Sequence, residues 1–204
     1  MTYFPPTHRS PAMTLTELIV TSRTCRRFQS SVGLTEGILA DLVDMARLSP
    51  NARNAQALRY AIVTEPAARR EVFGLLTLGG AFKPEQRPTV EQQPGGYIVV
   101  LGPEKLDAFG LMDVGIAAQS VNLAANASGL ACCMVGAFNK PALRKLLDAP
   151  ADLDPKLVLA LGVPAEDRQI APLDEHGDTA YFRDDHGVHW VPKRALEDLI
   201  VIRR

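Results

Sequence analysis

Two apolar runs, YIVVL at 97–101 and KLVLALG at 156–162, constrain this fold more than any other feature of the sequence. Neither shows the alternation of a strand with one wet face, so both read as strands covered on both sides. A sheet containing them needs helices packed on each face. The sequence offers five. One is predicted over 15–21, where Thr14 and Glu17 form a capping box and Leu15, Leu18 and Ile19 share a face. A second covers 35–48, with Ile38, Leu42 and Met45 at helical spacing and Pro50 as its stop. Pro66 opens a third over 67–78. The fourth, 113–128, has Asp113 as its predicted cap, Ile116, Val121, Leu123 and Ala124 on its buried face, and Gly129 as its end. Its alanines allow close approach of another backbone, in the core or between subunits. A short fifth helix begins at Asn139 and runs through Leu147. Strands at 60–64 and 131–135 bring the sheet to at least four.

At 204 residues the chain fits one domain, here 13–204, preceded by a flexible, proline-bearing extension over 1–12. A net charge of -1 gives no field suited to nucleic acid or a membrane surface, so any anion site has to be local. No apolar run is expected to reach the roughly 18 to 20 residues of a membrane span. Cys25, Cys132 and Cys133 do not make a disulfide framework, which points to a reducing, cytoplasmic setting.

Chemistry concentrates in two stretches. SRTCRRF at 22–28 sets Arg23 and Arg26 just after the first helix, and a guanidinium fork matches phosphate oxygens. A solvated basic turn at a helix end is the other reading. SPNARNAQ at 49–56 gathers Asn51, Asn54 and Gln56, uncharged groups that donate and accept, as recognition of a planar heterocycle requires. A turn in which the asparagines satisfy their own backbone fits equally well. The polar loop 79–94, with Pro84, Pro88 and Pro94, is long enough for a lid over a site. Asp184, Asp185, His186 and His189 have spacing that a metal would accept, but they sit in a polar surface segment and no metal is expected. Cys132 and Cys133 lie in an apolar strand and read as inert thiols. The sequence lacks the dinucleotide, P-loop, zincin and nucleophile-elbow motifs, which disfavours those enzyme classes.

These residues resemble the nitroreductase family of FMN-dependent oxidoreductases. The stretch 22–28 is similar to the family's Arg-Arg-Ser-x-Arg-x-Phe, and 49–57 to its Ala-Pro-Ser-x-x-Asn-x-Gln-Pro. The run DVGIAAQSVNLAANASGLACCMVGAF is similar to its long helix and following strand, and 181–194 to the ending of one subgroup. The resemblance implies an α+β, three-layer fold with a central, mostly antiparallel mixed sheet flanked by helices, in a homodimer that shares FMN across its interface. It implies phosphate and ribityl contacts from Arg23, Thr24 and Arg26, with Lys193 and Arg194 closing on the phosphate. Asn54 is implied near the flavin ring, and Pro50 and Asn51 reach it from the partner subunit, with Ala52 and Gln56 on the same cofactor-binding loop. Gly136 and Ala137 would lie beside flavin N5, and no side chain would act as a dedicated acid or base. The activity implied is ping-pong transfer of hydride from NADH or NADPH through the flavin to a nitroaromatic, quinone or similar acceptor. A flavin carrier without turnover, or a relative specialised for dehalogenation or heterocycle oxidation, is the alternative. Arg53, where the family often has glycine, would set a cation near the ring and favour an anionic substrate.

Overall fold

The computed structural model describes residues 13–204, so the expected extension over 1–12 lies outside the described residues. The chain runs α1 (Leu15–Thr21), α2 (Glu36–Leu48), β1 (Arg59–Val63), α3 (Pro66–Leu75), β2 (Gly96–Gly102), α4 (Ala108–Ala127), β3 (Ala131–Val135), α5 (Lys140–Leu146) and β4 (Asp154–Gly162). It ends with β5 (Arg168–Pro172), β6 (Phe182–Arg183), β7 (His189–Lys193) and α6 (Leu196–Leu199). The central sheet has the order β1-β2-β4-β3 and every pairing in it is antiparallel. Among the described residues parallel pairing is confined to a second sheet, β5-β7-β6, formed by the polar segment that carries no strand signal in the sequence.

The runs are buried over 97–101 and 158–162, with Lys156 and Leu157 partly exposed, because each face of the central sheet has its own core. On one face Leu39, Leu42 and Ala46 of α2 and Val114, Ala118 and Val121 of α4 pack on Ile98, Val100, Leu159 and Leu161. On the other, Val72 of α3 and Leu143 of α5, with Cys25 and Phe28, pack on Val99, Leu101, Val158 and Ala160. The period of two in these sets is the strand period, hidden in the sequence because both faces are apolar.

Two helix boundaries differ from expectation. Asp107, not Asp113, caps α4, its side chain accepting from the Gly110 N–H, because the apolar run 108–112 continues the helix backward by a turn and more. Asp113 is instead buried mid-helix, and Ile116 is 41% exposed, since the buried stripe runs through Val114, Ala117, Val121 and Ala125. Helix α3 stops at Leu75 because Leu76 turns extended and bridges Phe138, which ties this connection to the end of β3. Helix α4 also corrects the expectation about long apolar runs: its 20 residues reach a mean hydropathy of 1.2, enough by length and composition for a span. Its contacts with α2 and the sheet are those of a core helix.

Close approach of the chain at Gly95 leaves no room for a side chain, since an added methyl would lie 2.5 Å from the Val32 carbonyl oxygen. Gly95→Ala is therefore expected to cost about 1–3 kcal/mol in urea unfolding. Gly102→Ala, where the new methyl meets only ordinary contacts beyond 3.4 Å, is the matched control and should cost less.

Candidate functional site

The 22–28 segment is fixed by backbone pairing before any side chain acts. The Cys25 N–H donates to the Cys132 carbonyl on β3, Phe28 N–H to Gln92, and Gln29 N–H to Val163, while the Arg27 carbonyl accepts from Ala165. Strand β3 is an edge of the central sheet, so the segment covers one end of that edge. At the other end, past Val135, stand Gly136 and Ala137, both exposed. An added methyl at Gly136 would meet nothing within 4 Å, so no packing in the chain itself calls for glycine there.

One carboxylate organises the arginines. Glu166 accepts from the backbone N–H groups of Arg26 and Arg27 and from the Arg183 guanidinium. The ion pair is buried, with 5% of the Arg183 side chain and 1% of the Glu166 side chain exposed. Burial pushes this carboxyl upward, but the Arg26 N–H and the Arg183 guanidinium outweigh it and hold the group below the usual carboxylate range. Arg26 lies over the Tyr181 ring at 4.2 Å and near Phe82 at 5.5 Å. Its Nη1 is 3.4 Å from His189 Nε2, and because a guanidinium only donates, that nitrogen is the acceptor and Nδ1 carries the proton. Fully buried, His189 is depressed to about 4, first by desolvation and then by Arg26, Arg183 and Arg168, against the opposing pull of Glu166.

Arg168 completes the cluster. Its Nη1 donates to the Arg23 carbonyl at 2.9 Å, and its positive charge joins burial in lowering the Arg23 pKa. The Nε atoms of Arg23, Arg27, Arg168 and Arg183 are all buried without an acceptor among the described residues, as are His189 Nδ1 and, outside the cluster, Arg69 Nε. Buried donors left this way cost roughly 1–3 kcal/mol each. Five arginines (Arg23, Arg26, Arg27, Arg168 and Arg183) thus cluster at the motif with one buried carboxylate among them, to which Arg183 gives its guanidinium and Arg26 and Arg27 their backbone N–H groups, a local excess of positive charge in a chain of net charge -1. Thr24 lies half-buried inside this segment.

Other expected residues fall elsewhere. Lys193 and Arg194 are exposed at the end of β7, where Lys193 pairs with Pro172. That is four residues along the strand from His189, about 13 Å at the usual rise. Arg168 and Arg183, not these two, make the contacts with the motif. Pro50, Asn51 and Gln56 line a different cavity, of about 330 Å³, between α2, β1 and α4. Its lining includes neither the arginine cluster nor Gly136. There the Asn51 side chain accepts from the Gln56 N–H and buried Asp113 accepts from the Ala52 N–H. Arg53, Asn54 and Gln56 all have left-handed backbone, with φ of 55°, 51° and 47°, and the Arg53 guanidinium lies over Phe109 and 4.0 Å from Asp107. For residues other than glycine such backbone costs about 1–3 kcal/mol apiece.

The 79–94 loop is tied to the motif, with Phe82 against Tyr181 and His189 and the Gln86 carbonyl accepting from Arg27. Asp184 is used in a turn and accepts from the His186 and Val188 N–H groups and from Trp190 Nε1. No group of three metal-ligating side chains occurs among the described residues. Burial pushes Cys133 up to about 11 and Cys25 to about 12, which makes both inert near neutral pH. Glu166, Arg168 and Phe82 escape sequence reasoning, because each lies in a loop or short strand without periodicity; Tyr181 and Arg183 belong to the matched 181–194 ending, but with no role attached to them.

A layered α+β fold with an arginine-lined sheet edge defines a recognisable class. The model of the nitroreductase family matches residues 19–163, and the chain belongs to that family. A protein of Methanothermobacter thermautotrophicus, provisionally named an NADH dehydrogenase/NAD(P)H nitroreductase, is 28% identical over 163 residues, covering 76% of this chain and 79% of the relative. A 5,6-dimethylbenzimidazole synthase of Rhodobacter capsulatus is 27% identical over 184 residues, covering 79% and 87%. Among solved structures, a nitroreductase family protein from Clostridium novyi NT has a TM-score of 0.62 at 22% identity, covering 74% of this chain and 87% of that one. An FMN-dependent nitroreductase from Clostridium difficile R20291 has a TM-score of 0.62 at 18% identity, covering 82% and 98%. The fold is shared, and membership of the family makes the chain an oxidoreductase.

The cluster predicts an acid-side instability. In the unfolded chain His189 titrates near 6.5, whereas in the fold it stays neutral down to about 4, so the unfolded state binds the extra proton between these values. Stability should fall as pH drops through that window, and further below about 4.5 as Glu166 protonates. Urea unfolding of His189→Phe should show a flatter slope between pH 6.5 and 4. Glu166→Gln should lose about 3–5 kcal/mol near neutral pH, the cost of leaving a buried charge unpaired.

Proposed function

We propose that the chain is a homodimeric, FMN-dependent NAD(P)H oxidoreductase of the cytoplasm. The observation that carries this is the pairing of a half-buried arginine cluster, each member with an unpartnered Nε or a guanidinium turned to the site, with an edge strand whose far end is an uncrowded glycine. From Cys132 to Gly136 is four residues, about 13 Å along β3, a span that suits a flavin mononucleotide from phosphate to ring. The residues fit the group. Arg23 and Arg168, beside Thr24 and Arg26, offer donors to a phosphate, and the exposed Lys193 and Arg194 add cations from β7. Gly136 and Ala137 leave the backbone accessible at the ring end. FMN, when bound, supplies the electron-transfer chemistry between NAD(P)H and a nitroaromatic, quinone or similar acceptor.

The chain's own part is to hold, orient and cover, and for this one subunit is incomplete. Pro50, Asn51, Ala52, Asn54 and Gln56 sit on a strained, tethered loop apart from the arginine cluster, as expected of a piece lent to a partner. Phe109, Met112 and Ile116 expose an apolar face along α4, and Leu196, Leu199, Val201 and Ile202 expose another at the C-terminal segment. A second copy is the natural cover for both.

Arg23→Ala and Arg168→Ala are each expected to weaken FMN binding about 10- to 100-fold in fluorescence titration, the value of one charge-assisted hydrogen bond. Riboflavin, which lacks the phosphate, should bind the wild type and both variants alike. An equal loss for riboflavin would assign these arginines to folding alone. In sedimentation, Met112→Glu should convert the dimer to monomer and release FMN with it; a wild-type monomer saturated with flavin would overturn the dimer.

A further inference from the structure

A second cavity, of about 580 Å³, opens beside Gly136 between the start of α4 and the beginning of β4. Its apolar wall comes from Leu106, Val114 and Phe138, and its charged rim from Lys105, Lys140 and Lys156 with Glu104. Glu104 turns its backbone carbonyl to Lys156 Nζ at 2.9 Å, and the nearby Asp154 divides its charge between Lys140 and Arg144. Three cations and one carboxylate therefore line the cavity, and Lys105 has no ion pair among the described residues. Burial first, and then the neighbouring Lys140, hold the Lys156 ammonium below its ordinary range against the opposing pull of Asp154 and Glu104. Arg53, the cation expected from the sequence, lies within 4.0 Å of Asp107 and so brings little net charge.

We propose that this pocket is a subsite for an anion carried on a planar apolar body, with Lys105, Lys140 and Lys156 selecting carboxylate- or phosphate-bearing reactants over neutral ones. The inference rests on the proposed flavin position beside Gly136. The apolar wall takes the ring or chain of the reactant, and the lysines take its charge at the rim, where water still screens each contact. Partly exposed charges of this kind contribute about 0.5 kcal/mol each, so three give a preference of about tenfold.

Two sources supply such an anion: a carboxylate on the acceptor, or the phosphates of the nicotinamide donor. Stopped-flow measurement on the FMN-loaded protein separates them. Reoxidation compares para-nitrobenzoate with para-nitrobenzyl alcohol, and reduction compares NADH and NADPH with neutral N-benzyl dihydronicotinamide. Calorimetry of benzoate against benzyl alcohol on the oxidised protein gives a readout independent of turnover. The anionic member of at least one pair should be favoured about tenfold in rate or affinity. That ratio should collapse toward one in Lys105→Ala/Lys140→Ala, reverse in Lys105→Glu/Lys140→Glu, and shrink with added salt. The exposed Lys83→Ala should leave it unchanged. A ratio changed only in reoxidation assigns the anion to the acceptor, and one changed only in reduction assigns it to the donor. No charge preference in either half-reaction or in calorimetry, from a protein that binds FMN and is reduced normally, overturns the subsite alone. A protein that takes up no FMN fails the earlier reading instead.

Discussion

The Glu166 carboxylate is the contact on which the rest of the site depends. It accepts two successive backbone N–H groups of the arginine motif and pairs with Arg183, so a single side chain sets both the path of the motif and the charge around it. Without it the arginines would repel one another in a partly buried space, and five like charges do not collect unaided. With it, one negative charge is spent on geometry and the excess positive charge remains directed at whatever binds. The neutral state of His189 follows from its burial first, and then from the same crowd of guanidinium groups, against the pull of Glu166.

The scaffold divides into parts that are rigid and parts that are held under strain. Strands β2 and β4 are covered on both faces and fix the frame, and β3 hangs its outer edge beside them as the one linear track that links the arginines to Gly136. The 51–56 loop is different. Three left-handed residues are retained there by the Asp113 carboxylate and the Asn51 side chain, contacts that hold the backbone in a shape the isolated peptide would leave. Strain of this sort persists only where surrounding structure fixes it, which is why Asp113 is buried within α4 rather than used as its cap.

What could be read in advance follows the same division. The strands of the central sheet were legible as unbroken apolar runs, and the helices by their periodicity and end signals: Thr14 with Glu17 forms the expected capping box, and the helices expected to start at Thr35 and Asn139 are capped by those residues. Asp113 was misread because a small-residue helix has almost no amphipathic contrast, so its start was hidden behind the apolar 108–112. The second sheet was invisible because its strands are short and largely exposed, and so carry no apolar pattern. Arg23 and Arg26 carried a recognisable motif and Arg183 lay in the matched ending, whereas Glu166 and Arg168 act through tertiary neighbours that local spacing does not encode. No rule of pattern ties Arg26 to a carboxylate 140 residues away.

That separation bears on how the molecule is made. The motif at 22–28 leaves the ribosome early, yet Glu166 lies 140 residues further on, and His189 163 residues beyond Arg26. The helices and the first strands can collapse during synthesis, but the arginine wall stays open until the last quarter of the chain has emerged. Contacts of such long range pay their loop-closure entropy before they return any stability, and they form late. The nascent chain therefore passes through a stage in which the motif is made but the groups that fix it, Val163, Ala165 and Glu166, are still to come. Pairing of 163–166 with the motif ends that stage, so the stretch that orders the arginines is also the one that lets the first residues of the fold settle last.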